Sequence, residues 1–118
     1  MQKIAIVILA DTTPGDGLGR VVNALMAAKE FKDANDDVQV IFTGAGTKWV
    51  GELANPTHKL HGVYTDLKDS IVGSCGFCAN AFGVADSTKG SGVKLLEEYG
   101  TNMSFRKLSQ NGYQVITF

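Results

Sequence analysis

The sequence predicts an α/β fold in which a mostly parallel sheet carries helices on both faces. Two observations predict it. Short, continuously apolar and β-branched runs recur, most clearly at Ile4–Leu9 and Val38–Phe42, as strands buried on both faces require. Between such runs lie stretches of helical periodicity, the longest carrying Leu18, Val21, Val22, Leu25, Ala28 and Phe31. Strand and helix alternating in this way are joined by right-handed crossovers. The 118 residues predict one domain, 1–118, able to bury a core without disulfide staples.

Each element has its own justification. After the first strand, Asp11-Thr12-Thr13-Pro14-Gly15-Asp16-Gly17 has the composition of a loop, and the periodic helix begins near Leu18. Lys32–Asp37 is a polar helix end and turn, and Val38–Phe42 is the second strand. Thr43–Thr47 turns the chain, and Lys48–Leu53 predicts a short helix stopped before Asn55-Pro56. His58–His61 reads as loop, and Val63, Tyr64 and Leu67 as another short helix. Ile71 and Val72 open a third strand, and Cys78–Phe82 predicts the first turns of a helix ending at Gly83. Asp86–Gly92 is a polar Gly/Ser stretch in which no helix or strand is expected. Val93–Leu96 is expected to be a strand, Ser104–Gln110 a helix, and Tyr113–Phe118 a closing strand, five strands in all.

Composition excludes several classes. A formal net charge of −1 lacks the basic face that nucleic-acid binding needs. Two cysteines are too few for a disulfide scaffold, and no apolar run approaches the ~18 residues of a membrane span. These features lead us to expect a cytoplasmic, soluble protein with neither nucleic-acid nor membrane partners.

Both cysteines fall in Cys75-Gly76-Phe77-Cys78. The spacing allows a disulfide, a persulfide with a resolving partner, or half of a metal site. At a strand-to-helix junction, backbone N–H groups would favour a thiolate, and Gly76 is expected to leave the Cys75 sulfur open. His58-Lys59-Leu60-His61 is a second constellation. Its order and spacing depart from zinc patterns, so no metal site is expected; a histidine acting as base or charge partner to a cysteine is the alternative. The loops holding Asp11, Gly15 and Gly17, and Gly44 and Gly46, follow strands in the manner of phosphate-binding turns, although neither has a full dinucleotide or P-loop pattern. In an open parallel sheet they lie on the same edge as the cysteines, and a shared pocket would comprise them with His58, His61 and Gly76. Turn chemistry alone is the simpler reading of both loops. Trp49 and Phe77 read as core or interface residues, and Trp49 and Tyr64 as candidates for an exposed contact.

The run Cys75–Val84, preceded by Ile71-Val72-Gly73, resembles the DsrE/DsrF-like family of small sulfur-relay proteins, in a branch with a C-x-x-C. The family cysteine, eight residues before a glycine, falls on Cys75, with the glycine at Gly83. The opening strand, the helix near Leu18, the Gly44-Ala45-Gly46 turn and the closing Gly112–Phe118 are also similar. The resemblance implies a three-layer α/β/α domain with a five-stranded parallel sheet. It implies homo- or hetero-oligomers, often trimers or hexamers, and sulfur donor and acceptor proteins as partners. Many relatives place Arg before the glycine; here the residue is Phe82. The function expected is sulfur transfer without a cofactor, as a sulfurtransferase or a persulfide carrier, with Cys75 accepting sulfane sulfur and Cys78 resolving. The alternatives are a dithiol/disulfide redox protein and a non-catalytic oligomeric module binding a small ligand.

Overall fold

The computed structural model describes residues 1–118. Its central strand, β1 (Lys3–Ile8), is apolar on both faces because both are covered: Ile4, Ile6 and Ile8 point into one cluster, Ala5 and Val7 into another. β1 is hydrogen-bonded on its two sides to β2 (Asp37–Phe42) and β5 (Gln114–Thr117). β3 (Ile71–Cys75) pairs with β2, and the two-residue β4 (Leu95–Leu96) closes the edge. The order is β4-β3-β2-β1-β5 with every pairing parallel, the five-stranded α/β fold expected.

The larger cluster lies under α1 (Asp16–Asp33), α2 (Trp49–Ala54) and α3 (His61–Asp66). Val21, Ala24, Leu25 and Ala28 form the buried stripe of α1 against β1 and β2. The opposite face is covered more thinly, by α6 (Phe105–Gln110) and the segment before it; Leu108, Met103, Leu96 and Cys75 pack there on Val7 and Ile41. Two further short helices, α4 (Gly76–Ala81) and α5 (Ala85–Gly90), follow β3.

Two expectations are corrected. The polar stretch from Asp86 contains α5, not only loop. Its hydroxyl side chains bond back to the preceding turn, Thr88 to the Val84 carbonyl at 2.7 Å and Ser91 to that of Ser87 at 2.7 Å, and Thr88 is buried. Trp49 and Tyr64 are not surface contacts: they are 2% and 1% exposed in the larger cluster, and the Trp49 indole N–H donates to the Ala10 carbonyl at 2.9 Å.

One irregularity in the sheet positions the cysteines. The β2–β3 register runs Val40↔Ile71, then Ile41↔Gly73 and Phe42↔Ser74, so Val72 is an extra residue. In a regular strand, residues 71 and 75 would share a face. The extra residue changes the parity, so Ile71 packs with the larger cluster and Cys75 with the smaller one.

Candidate functional site: a cysteine pair at the carboxyl edge of the sheet

β3 ends on Cys75 and α4 begins on the next residue, so Cys75 occupies the helix N-cap with extended backbone (φ −56°, ψ 122°). Cys78 lies one helical turn on. Gly83, at φ +71°, ends the helix in a left-handed conformation that suits glycine.

The two sulfurs differ in exposure. Cys75 is 0% exposed, whereas Cys78 is half-buried. The Cys75 sulfur receives the Met103 N–H at 3.5 Å, and the Asn102 side-chain amide lies 3.9 Å away. The Thr43 hydroxyl, at the end of β2, lies 3.7 Å from the Cys78 sulfur. Burial pushes the Cys75 thiol up. The Cys78 and Met103 N–H groups, with the Cys78 thiol and the Thr43 hydroxyl, outweigh it and hold Cys75 below the ordinary cysteine range.

Gly76 works against the open sulfur that the spacing predicts. A Cβ at this position would lie 2.8 Å from Glu97 Cγ and 3.2 Å from the Thr101 carbonyl oxygen. Glycine therefore lets residues 97–103 close down over Cys75. That cover is well tied. Tyr99 and Asn102 form a bridge around Gly100, and the Phe77 N–H donates to the Thr101 carbonyl at 2.8 Å. Glu98 accepts from the Ser104 N–H at 3.0 Å and from Lys107 at 2.8 Å. Phe77 is not core: its ring is exposed beside Cys78.

The glycine loops stand on the same sheet edge, but they close space there. A Cβ at Gly17 would collide with the Asp11 carbonyl, and one at Gly46 with the Ile8 carbonyl. Thr13 occupies the first donors of α1, its hydroxyl accepting from Gly17 at 2.8 Å and its carbonyl from Leu18 at 2.9 Å. The phosphate-cradle reading of Gly15 and Gly17 therefore gives way to turn chemistry and close packing. Gly44 takes a left-handed turn (φ +56°) against Leu9. Asp11 pairs with Lys48 at 2.6 Å, and its carboxyl is held below the usual range by the Lys48 hydrogen bond and the Thr12 N–H.

The histidines hydrogen-bond within their own loop and helix. His58 Nδ1 accepts from the Leu60 N–H at 3.0 Å, and its ring meets Trp49 edge-on. His61 Nδ1 lies 2.8 Å from the Leu53 carbonyl. Neither is hydrogen-bonded to a cysteine, and no three His, Cys, Asp or Glu side chains converge as a metal site. Of the loops expected to share a pocket, the turn after β2 stands beside α4, with Thr43 at Cys78 and Lys48 at Phe82, while the histidines bond elsewhere.

Sequence reasoning missed Thr43, Lys48, Asn102 and Met103. Lys48 sits 5.4 Å above the Phe82 ring, bringing a cation over the position where the resemblance leads one to expect arginine. Asn102 and Met103 lie 27 and 28 residues from Cys75 and reach it only through the tertiary fold. The turn composition of Tyr99-Gly100-Thr101-Asn102 marks a bend and nothing of its target.

Fold and site together define a small parallel α/β protein with a cysteine pair at a strand-to-helix junction. Residues 3–118 match the sequence profile of the DsrE/DsrF-like family, and the chain belongs to that family. It is 30% identical over 96 residues to the uncharacterised protein MJ0733 of Methanocaldococcus jannaschii, covering 81% of this chain and 78% of that protein. A conserved protein of unknown function from Bacteroides thetaiotaomicron, BT1422, shares the fold with a TM-score of 0.63 at 22% identity, over 97% of this chain and 94% of that one. No helix is long and apolar enough to cross a membrane.

Proposed function

We propose that the protein is a sulfur carrier in which Cys75 accepts sulfane sulfur as a persulfide and Cys78 is the resolving thiol. One observation carries the reading: the Cys75 sulfur is buried yet faced by the Met103 N–H and the Asn102 amide, a setting that favours a sulfur anion and shields it from water. Membership of a family of sulfur-relay proteins supports it. In loading, the Cys75 thiolate takes the outer sulfur of a persulfide small enough, or near enough, to reach it, whose own thiolate leaves. In resolution, the Cys78 thiolate attacks the inner sulfur of the Cys75 persulfide. A Cys75–Cys78 disulfide forms and hydrosulfide departs; two external thiols then restore the dithiol, the first forming a mixed disulfide that the second resolves, leaving as their own disulfide.

Intact mass after exposure to inorganic polysulfide, desalting and a brief cyanide wash tests the proposal. The parent and Cys78→Ser retain about 32 Da per added sulfur atom, Cys78→Ser for longer, while Cys75→Ser retains none. Equal retention by the two variants overturns the assignment. A second reading rests on the placement of both cysteines in the first turn of α4, which suits a dithiol/disulfide couple. That reading requires a loss of about 2 Da in the parent and no sulfur adduct.

A further inference from the structure

We propose that a persulfide borne by another protein delivers its sulfur first to Cys78, the half-buried port beside Thr43, and that Cys75 then takes the sulfur inward to a closed store. The inference rests on the sulfur-carrier reading and assigns each thiol a place in it. Transfer between sulfurs needs the attacking sulfur to meet the outer donor sulfur along the S–S axis. A sulfur held on a protein surface cannot do this with Cys75. That side chain is 0% exposed and lies under residues 97–103, which Gly76 admits and which Phe77 and Lys107 tie down. Cys78 is reachable. It lies one turn along α4, flanked by the exposed rings of Phe77 and Phe82. The two cysteines stand at the N-cap and in the first turn of the same short helix, so the second step is a transfer between neighbouring side chains of one turn.

The chemistry balances without an outside oxidant. The Cys78 thiolate attacks the outer sulfur of R–S–SH. The donor S–S bond breaks, a new S–S bond forms to Cys78, and R–S⁻ leaves to take up the proton that Cys78 released. The Cys75 thiolate then attacks the outer sulfur of the Cys78 persulfide. Cys75–S–SH forms, and the departing Cys78 thiolate takes up the proton given up by Cys75. Each step exchanges one thiol and one persulfide for another pair.

The test compares donors of two sizes, serum albumin carrying a persulfide and inorganic polysulfide, by following intact mass against time. With the albumin donor, Cys78→Ser gains sulfur at least roughly tenfold more slowly than the parent. Cys75→Ser gains it at about the parental rate but surrenders it to cyanide at once. With polysulfide, small enough to enter when the cover opens, Cys78→Ser still loads. Loading of Cys78→Ser from the albumin donor at the parental rate overturns the port and leaves the carrier reading standing. Failure of Cys78→Ser with both donors, its fold intact by circular dichroism, overturns the division between port and store. A parent that gains no sulfur from either donor overturns the carrier reading itself.

Discussion

The Cys75 thiol is held low by hydrogen bonds that act against its burial, and that balance has a measurable sign. A thiol whose folded pKa is depressed contributes stability that is complete above its unfolded pKa and is lost as pH falls through the folded one. The parent is therefore expected to gain stability over Cys75→Ser as pH rises toward the ordinary thiol range, and to show no such gain at lower pH. Urea midpoints of the two proteins across pH give the answer; a difference that does not change with pH contradicts the lowered thiol. Gly76 offers a second check. Gly76→Ala places a methyl against Glu97 and Thr101 and is expected to cost about 1–3 kcal/mol by overpacking. It also lifts the cover, so Cys75 alkylation should speed up by more than the global destabilisation explains. An unchanged alkylation rate in the folded protein would show that the cover does not limit access.

Among the elements, α6 is short and holds its place through one cap: the Ser104 hydroxyl accepts from the Lys107 N–H at 3.0 Å. Ser104→Ala is expected to destabilise the protein by about 1 kcal/mol, read from a denaturant midpoint. β1 and β2 were legible because each is a brief apolar run, and both were found to within a residue of their ends. α1 was legible from its period. α5 was not, because serine and threonine are weak helix formers and the bonds that hold them here, to Val84 and Ser87, are visible only once the turn exists. At the site, the cysteines could be picked out from spacing alone, but their unequal exposure could not. It depends on an extra residue in β3 and on a segment more than twenty residues downstream, and neither leaves a local pattern.

Taken whole, the molecule shows one sheet face deeply covered and the other lightly so, with Val72, Phe77, Phe82, Tyr99 and Phe105 exposed around α4 and α6. Isolated apolar side chains are ordinary on a surface; five around one part of the molecule suit contact with another chain. These residues, in place of the buried Trp49 and Tyr64, are the candidates for the homo-oligomer that the family resemblance implies. Light scattering is expected to give a mass well above that of one chain. A monodisperse monomer at micromolar concentration would refute it. Zinc is expected to be absent from the purified protein, and a chelator to leave the thermal midpoint unchanged, because no three His, Cys, Asp or Glu side chains converge on one point. Stoichiometric zinc whose removal unfolds the chain would refute both this and the carrier reading, since thiolates bound to zinc could not load.

The extra residue at Val72 makes the address of the sulfur a matter of counting. With Ile71 anchored in the larger cluster, three residues between it and Cys75 give opposite faces only because one of them stands outside the pairing. Remove that residue and the count alone sends the cysteine to whichever layer the repaired register selects, with the C-x-x-C motif intact. Two chains with the same motif can thus place the first cysteine on opposite sides of the sheet. Aligning them on the cysteines conceals the difference; aligning them on the start of the strand reveals it.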